Sequence, residues 1–238
     1  MRMRKKKNGE ARLTECSELL YAHRGEPMTD PCVPFGRTGG EVYLEIGAGK
    51  GGFATEMARR NPGVCYYAME RVSDCVVLGA ELAKSTGTEN NLRFVIDTAD
   101  RLSSIFAFGT VDKIFLNFSD PWSKKGYAKR RLTHRRYLAL YMNLLKDGGT
   151  LTFKTDNVGL FDFSLEEIEA MGLKLERYTR DLHNSEWAEG NVVTEYERNF
   201  TEQGMSINML MVRKPQGFNP EISPELMPGY TSPYKSAK

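Results

Sequence analysis

The sequence predicts an α/β fold: a mostly parallel, seven-stranded sheet with helices on both faces. Three observations predict it. Short apolar runs alternate with helical stretches from residue 41 to residue 171, the pattern of repeated βαβ units. A glycine-rich turn, Gly47-Ala-Gly-Lys-Gly-Gly52, falls between the first apolar run and the first helix, where backbone turns tightly and approaches a ligand. The apolar run 111–117 leads straight into Phe-Ser-Asp-Pro-Trp122 and then a basic stretch, so polar chemistry sits at a strand end.

Residues 1–40 read as a basic arm and linker. The arm carries Arg2, Arg4, Lys5, Lys6, Lys7 and Arg12 against Glu10 and is expected to become helical over 13–21. Residues 25–40 are turn-rich, with Gly and Pro throughout, and read as the linker. Strands are expected at 41–46, 64–69, 92–96, 111–117 and 150–154, and helices at 52–60, 73–84, 101–106, 133–145 and 160–171. Two further runs, 173–180 and 207–212, complete the sheet as an antiparallel pair. The principal domain is therefore placed at 41–214. Residues 215–238, with five prolines, read as a loose tail or a strap over the surface.

At 238 residues the chain can bury one full core. Its net charge of +2 conceals an uneven distribution. Residues 124–136 hold Lys124, Lys125, Lys129, Arg130, Arg131, Arg135 and Arg136 with no acid. Outside this run and residues 1–12, 20 of the 33 basic and 30 of the 31 acidic residues remain. An acidic body with two basic appendages is the footprint of a nucleic-acid partner. Neither appendage alternates charge with an apolar face, the N-terminus lacks the apolar core of a secretion signal, and no apolar run approaches the ~20 residues that span a bilayer. Cys16, Cys32, Cys65 and Cys75 form no CxxC pair, and His23, His134 and His183 stand apart and read as surface or loop residues. The expectation is a cytoplasmic protein without membrane or metal partner, monomeric or homodimeric.

Gly47, Gly49 and Gly52 satisfy GxGxxG, a match that by itself decides little. No Ser or Thr follows Lys50, which excludes a nucleoside-triphosphate loop. The discriminating residue is Glu45, two positions before Gly47. A carboxylate there repels a dinucleotide pyrophosphate but suits a cationic amino acid such as that of S-adenosylmethionine (SAM). Glu70 follows the second strand, where an acid accepts both ribose hydroxyls. Asp97 and Thr98 follow the third strand, within reach of an adenine, and Asp100 reads as a helix cap. At the fourth strand end, Asp120 is a carboxylate beside a phosphate-binding run, a pairing suited to chemistry on a nucleic-acid base.

Glu45-Ile-Gly-Ala-Gly-Lys-Gly, Asn117-Phe-Ser-Asp-Pro-Trp, Lys129-Arg-Arg-Leu-Thr, Phe153-Lys-Thr-Asp-Asn and Thr194-Glu-Tyr-Glu occur in that order. In them the chain resembles the bacterial tRNA (guanine-N7-)-methyltransferases, SAM-dependent enzymes of Rossmann-like fold. The glycine turn is generic to SAM enzymes; the Asp-Pro-Trp, Lys-Thr-Asp and Thr-Glu-Tyr-Glu segments together carry the specificity. The resemblance implies methyl transfer from SAM to N7 of guanine 46 in the tRNA variable loop. It implies cofactor contacts at Glu45, Gly47, Gly49, Glu70 and Asp120, with Asp120 also catalytic. The third-strand contact falls on Thr98, with Asp97 beside it. Substrate contacts are implied at Lys124, Asp156, Thr194, Glu195, Tyr196 and Glu197.

Plain structural readings stand beside these. Thr194 and Glu197 have the spacing of a capping box, and Asp156 that of a helix cap. Trp122 either stacks on a base or fills core. Gly126-Tyr127 replaces the family's Arg-His, leaving Tyr127 a candidate for stacking. The rival functions are another SAM-dependent N-methyltransferase of nucleobase or protein amide, a NAD-dependent oxidoreductase built on the same glycines, and a non-catalytic RNA-binding module.

Overall fold

A computed structural model describes residues 6–229. Arg2, Arg4 and Lys5 of the basic arm, and residues 230–238 of the tail, lie outside the described residues. Seven strands form one sheet: β1 (Val42–Ile46), β2 (Cys65–Met69), β3 (Leu92–Val95), β4 (Val111–Asn117), β5 (Leu145–Thr155), β6 (Leu175–Thr179) and β7 (Asn208–Arg213). Their spatial order is β3-β2-β1-β4-β5-β7-β6. β7 runs antiparallel to both of its neighbours, and the other pairs are parallel. The expected mostly parallel seven-stranded sheet is thus observed.

The helices are α1 (Gly9–Thr14), α2 (Gly52–Arg60), α3 (Ser73–Thr86), α4 (Leu102–Ile105), α5 (Arg135–Leu144), α6 (Val158–Ala170) and α7 (Glu195–Thr201). Side chains alternate across the central strands. Leu44 and Ile46 face the larger core with α4, α5 and α6, while Tyr43, Tyr66 and Phe115 face a second core with α2 and α3. Strands buried on both faces need near-continuous apolar runs, which is why β1, interrupted only by Glu45, and β2 read so clearly.

Several local expectations need correction. The arm is helical over Gly9–Thr14 rather than 13–21. Cys16 then begins a turn, and Leu20 pairs with Phe94 of β3. α1 lies on α3 through Arg12, whose guanidinium grips Glu81 at 2.6 and 2.7 Å. The stretch 25–40 is no slack linker. Tyr67 Oη donates to Pro31 O at 2.6 Å, and Asp30 accepts from the amides of Cys32 and Gly39, both at 2.9 Å. α5 begins at Arg135 and is capped by His134, whose Nδ1 accepts from Arg136 N at 3.2 Å. It passes into β5 without a loop, so β5 starts five residues before the expected strand.

Candidate active site

The strand order reverses between β1 and β4, and in such sheets ligands bind beyond the carboxyl ends of the strands at that point. Glu45, Glu70, Asp97, Asp120 and Asp156 all lie at or just past those ends, of β1, β2, β3, β4 and β5 in turn. The crossover connections of a parallel sheet bring these five positions to one rim although 111 residues separate the first from the last.

The glycine turn forms the floor. The amides of Gly47 and Ala48 both donate to Met69 O, at 2.8 and 2.9 Å, which folds the turn toward β2. Gly47 and Gly49 have φ of 82° and 55°. A Cβ at either would meet nothing within 4 Å, so their bare backbone faces open space. Gly51 differs: a Cβ there would fall 2.8 Å from the Phe94 ring. It is this glycine, rather than Gly52 of the motif, that lets α2 close on the second core. Glu70 completes the turn, accepting from Gly49 N at 3.0 Å and Val72 N at 2.9 Å.

Glu45 is 2 % exposed. Its Oε1 accepts from Asn117 Nδ2 at 2.9 Å, while its Oε2 is buried with no hydrogen-bond partner among the described residues. Burial pushes the carboxyl up to about 7; the Asn117 amide and the Lys154 ammonium pull the other way, and nearby Glu70 adds to the rise. Asn117 Oδ1 and Ser119 Oγ are likewise buried and unpartnered among the described residues. A buried polar atom without a partner calls for an explanation, and at the ends of the strands a bound ligand supplies one. A glycine turn with open space at Gly47 and Gly49, a buried acid two residues before it and Glu70 at the second strand fit the cationic amino acid and ribose of SAM.

Asp120 is 67 % exposed at its side chain and lies 3.6 Å from Arg71, the residue after Glu70. At the third strand, Asp97 accepts from Thr98 N at 2.8 Å and faces Arg101 at 3.7 Å, while Thr98 is exposed. Asp100 is not a helix cap: it accepts from Tyr137 Oη at 2.7 Å and from Arg136 at 3.1 Å. Asp156 is half-buried, and the cap of α6 is Asn157, which accepts from Leu160 N at 2.8 Å.

The basic run divides in two. Arg135 is held by Glu167 in a two-pronged pair at 2.8 and 3.0 Å, Arg136 by Asp100 and Glu225, and Arg131 by the carbonyls of Pro121 and Trp122. Lys124, Lys125, Lys129 and Arg130 are exposed and have no ion-pair partner among the described residues. Trp122 is half-buried, outside the cores. Tyr127 packs edge-on against it at 5.8 Å, and the Arg130 guanidinium lies over both rings at 5.0 and 4.6 Å.

Thr194-Glu-Tyr-Glu opens α7 as a capping box: Thr194 Oγ1 accepts from Glu197 N at 2.9 Å and Glu197 Oε2 from Thr194 N at 3.4 Å. Its members point to different places. Glu195 is exposed and takes Lys50 of the glycine turn at 2.7 and 3.0 Å. Tyr196 is exposed and faces Phe118. Glu197 is fully buried on Lys154 Nζ at 2.7 Å, so the structure turns it away from any substrate. Lys154 escaped the sequence reading of the site, although a lysine inside the apolar run Leu151-Thr-Phe-Lys-Thr155 is a sign of a buried partner. His183, expected to stand apart, joins this group 3.1 Å from Glu197 Oε1.

Fold and site together define a Rossmann-like methyltransferase, and a family model described as a putative methyltransferase matches residues 40–210. A tRNA (guanine-N(7)-)-methyltransferase of Lachnoclostridium phytofermentans is 45% identical over 170 residues, covering 71% of this chain and 79% of its own. One of Halalkalibacterium halodurans is 43% identical over 173 residues, covering 73% and 77%. Among solved structures, the 16S rRNA methyltransferase KamB superposes with a TM-score of 0.54 at 16% identity, over 74% of this chain and 88% of that one; this likeness concerns the fold alone. The chain belongs to the tRNA (guanine-N(7)-)-methyltransferase family.

Proposed function

We propose that the protein methylates N7 of guanine 46 in the variable loop of tRNA, using SAM, in the cytoplasm where tRNA resides. The structural observation that supports this reading is Glu45 Oε2, buried and without a hydrogen-bond partner among the described residues, at the end of the strand that leads into the Gly47–Gly49 turn. It supplies a receptor for a cation where a pyrophosphate-binding oxidoreductase would need none.

When bound, SAM supplies an electrophilic methyl group, which the N7 lone pair of guanine accepts without a base to activate it. The chain's task is therefore positioning and charge stabilisation. Glu45 holds the amino-acid end and Glu70 the ribose, while Asp97 or Thr98 borders the adenine. Asp120 orients the guanine through an N–H and favours the positive charge that develops on its imidazole ring. Lys124, with Lys125, Lys129 and Arg130, holds phosphates and sets the register of the RNA, and Asp156 and Tyr196 border the entering nucleotide. A base held in a stack must leave it to reach the methyl group, or come from a flexible loop.

Transfer of labelled methyl from SAM to unmodified tRNA transcripts tests the reading, with guanine 46 present or replaced by adenine and N7-methylguanine mapped by strand cleavage. Label confined to the guanine transcript is expected. Equal label in both transcripts, or none in either, overturns it.

A further inference from the structure

We propose that Phe118 is the positioning residue for Asp120, and that the small core around α7 aims this loop by holding the Phe118 ring. The role presupposes the methyl transfer proposed above.

Among the described residues only three non-glycine positions have positive φ: Asn8, Phe118 at 51° and Trp122 at 42°. The last two bracket Ser119-Asp120-Pro121. A bulky residue in the left-handed region is strained, and it persists only where its surroundings impose it. Those surroundings are visible. Phe118 N donates to Lys154 O at 2.9 Å. The Phe118 ring is stacked near-parallel with Phe200 at 6.0 Å and with Tyr196 at 6.5 Å. It packs, with Phe200 and Trp187, against a small core of Leu182, Ile207 and Met209. At the other end the Arg131 guanidinium takes the carbonyls of Pro121 and Trp122 at 3.0 and 3.2 Å.

The loop is thus fixed at both ends, and its middle presents Asp120 to solvent. No hydrogen bond to the Asp120 carboxylate shorter than the 3.6 Å approach of Arg71 sets its direction among the described residues. Its aim is inherited from the backbone, and the backbone from the Phe118 ring. Tyr196 therefore acts on the same loop from α7, and the first turn of α7 reaches the chemistry through packing.

The test compares full-length Phe118→Ala, Phe118→Gly and Phe118→Tyr with the unaltered chain, measuring kcat and KM for guanine-46 tRNA, Kd for SAM and thermal unfolding. Glycine adopts φ near +51° without strain, so Phe118→Gly permits the turn while removing the ring that holds it. Both Phe118→Ala and Phe118→Gly are expected to lower kcat about tenfold to a hundredfold, with Kd for SAM unchanged within about threefold, and Phe118→Tyr to restore kcat. A kcat undiminished in Phe118→Gly, a loss confined to the KM for tRNA, or no rescue by Phe118→Tyr overturns the positioning role alone. Absence of transfer by the unaltered chain overturns it together with the methyl-transfer reading.

Discussion

Lys154 Nζ lies 2.7 Å from Glu197 Oε2, with both side chains at most 4 % exposed. Asn191 Oδ1 and Val192 O, each at 3.0 Å, complete the ammonium, while Asn191 Nδ2 and His183 serve the carboxylate. A charge pair this dry is tolerated because its remaining donors and acceptors are satisfied.

Glu197→Ala is expected to destabilise the protein by about 3–5 kcal/mol, because it strands the Lys154 ammonium in the core. Pairing Lys154→Met with Glu197→Leu should recover most of that loss. Chemical denaturation of the single and double variants checks both. A near-neutral Glu197→Ala would remove the ion pair from the list of what holds α7 in place.

The Glu45 carboxyl, raised to about 7, makes two pH effects. Its folded-state value exceeds its unfolded one, so the folded chain binds the extra proton, and stability without ligand falls as pH rises through the window between the two. Binding of a cation by the carboxylate runs oppositely: affinity for SAM is expected to rise with pH up to about 7, by at most about tenfold per unit. Calorimetric titration at several pH values checks the slope, and Glu45→Gln should flatten it.

The two halves of the basic run should separate by assay. Removing Lys124, Lys125, Lys129 or Arg130 singly is expected to weaken tRNA binding and to lower its salt slope by about one each. Arg135→Ala, which breaks the Glu167 pair, should act on thermal stability and leave the salt slope in place. Filter binding across a salt series, beside a melting curve, distinguishes them.

Two glycines of one turn should fail differently. Gly49→Ala introduces a Cβ into open space at φ 55°, so it costs about 1 kcal/mol in folding and obstructs the cofactor cradle. Gly51→Ala drives a Cβ onto the Phe94 ring and should lower the melting temperature well beyond Gly49→Ala. Melting curves with and without SAM check this: added ligand should stabilise Gly49→Ala less than the unaltered protein.

The sheet was legible because β1, β2 and the second half of β4 are buried on both faces and so are mostly apolar, and because each crossover brings its helix with it. Short elements near the termini were not. α1 is six residues long with no buried side chain, too little for periodicity to locate. The acids at the strand ends were legible from position alone, since a strand that stops before a carboxylate places it at the rim. What the sequence could not show was direction. Glu195, Tyr196 and Glu197 are neighbours in the chain, yet one faces the glycine turn, one the Asp120 loop and one the interior, because successive residues on a helix point about 100° apart.

β7 enters the sheet last and lies between β5 and β6, so the segment joining β6 to β7 carries α7 to the ends of strands made far earlier. Synthesis runs from the amino end, whereas a domain folds as a unit. A chain grown only to β5 already holds the glycine turn, Glu45, Glu70 and Asp120. Yet its Phe118 has no Phe200 to lie against, and its Lys154 awaits Glu197. The residues that pack on Phe118 and pair with the buried lysine therefore emerge from the ribosome after the acids at the strand ends that they lie beside.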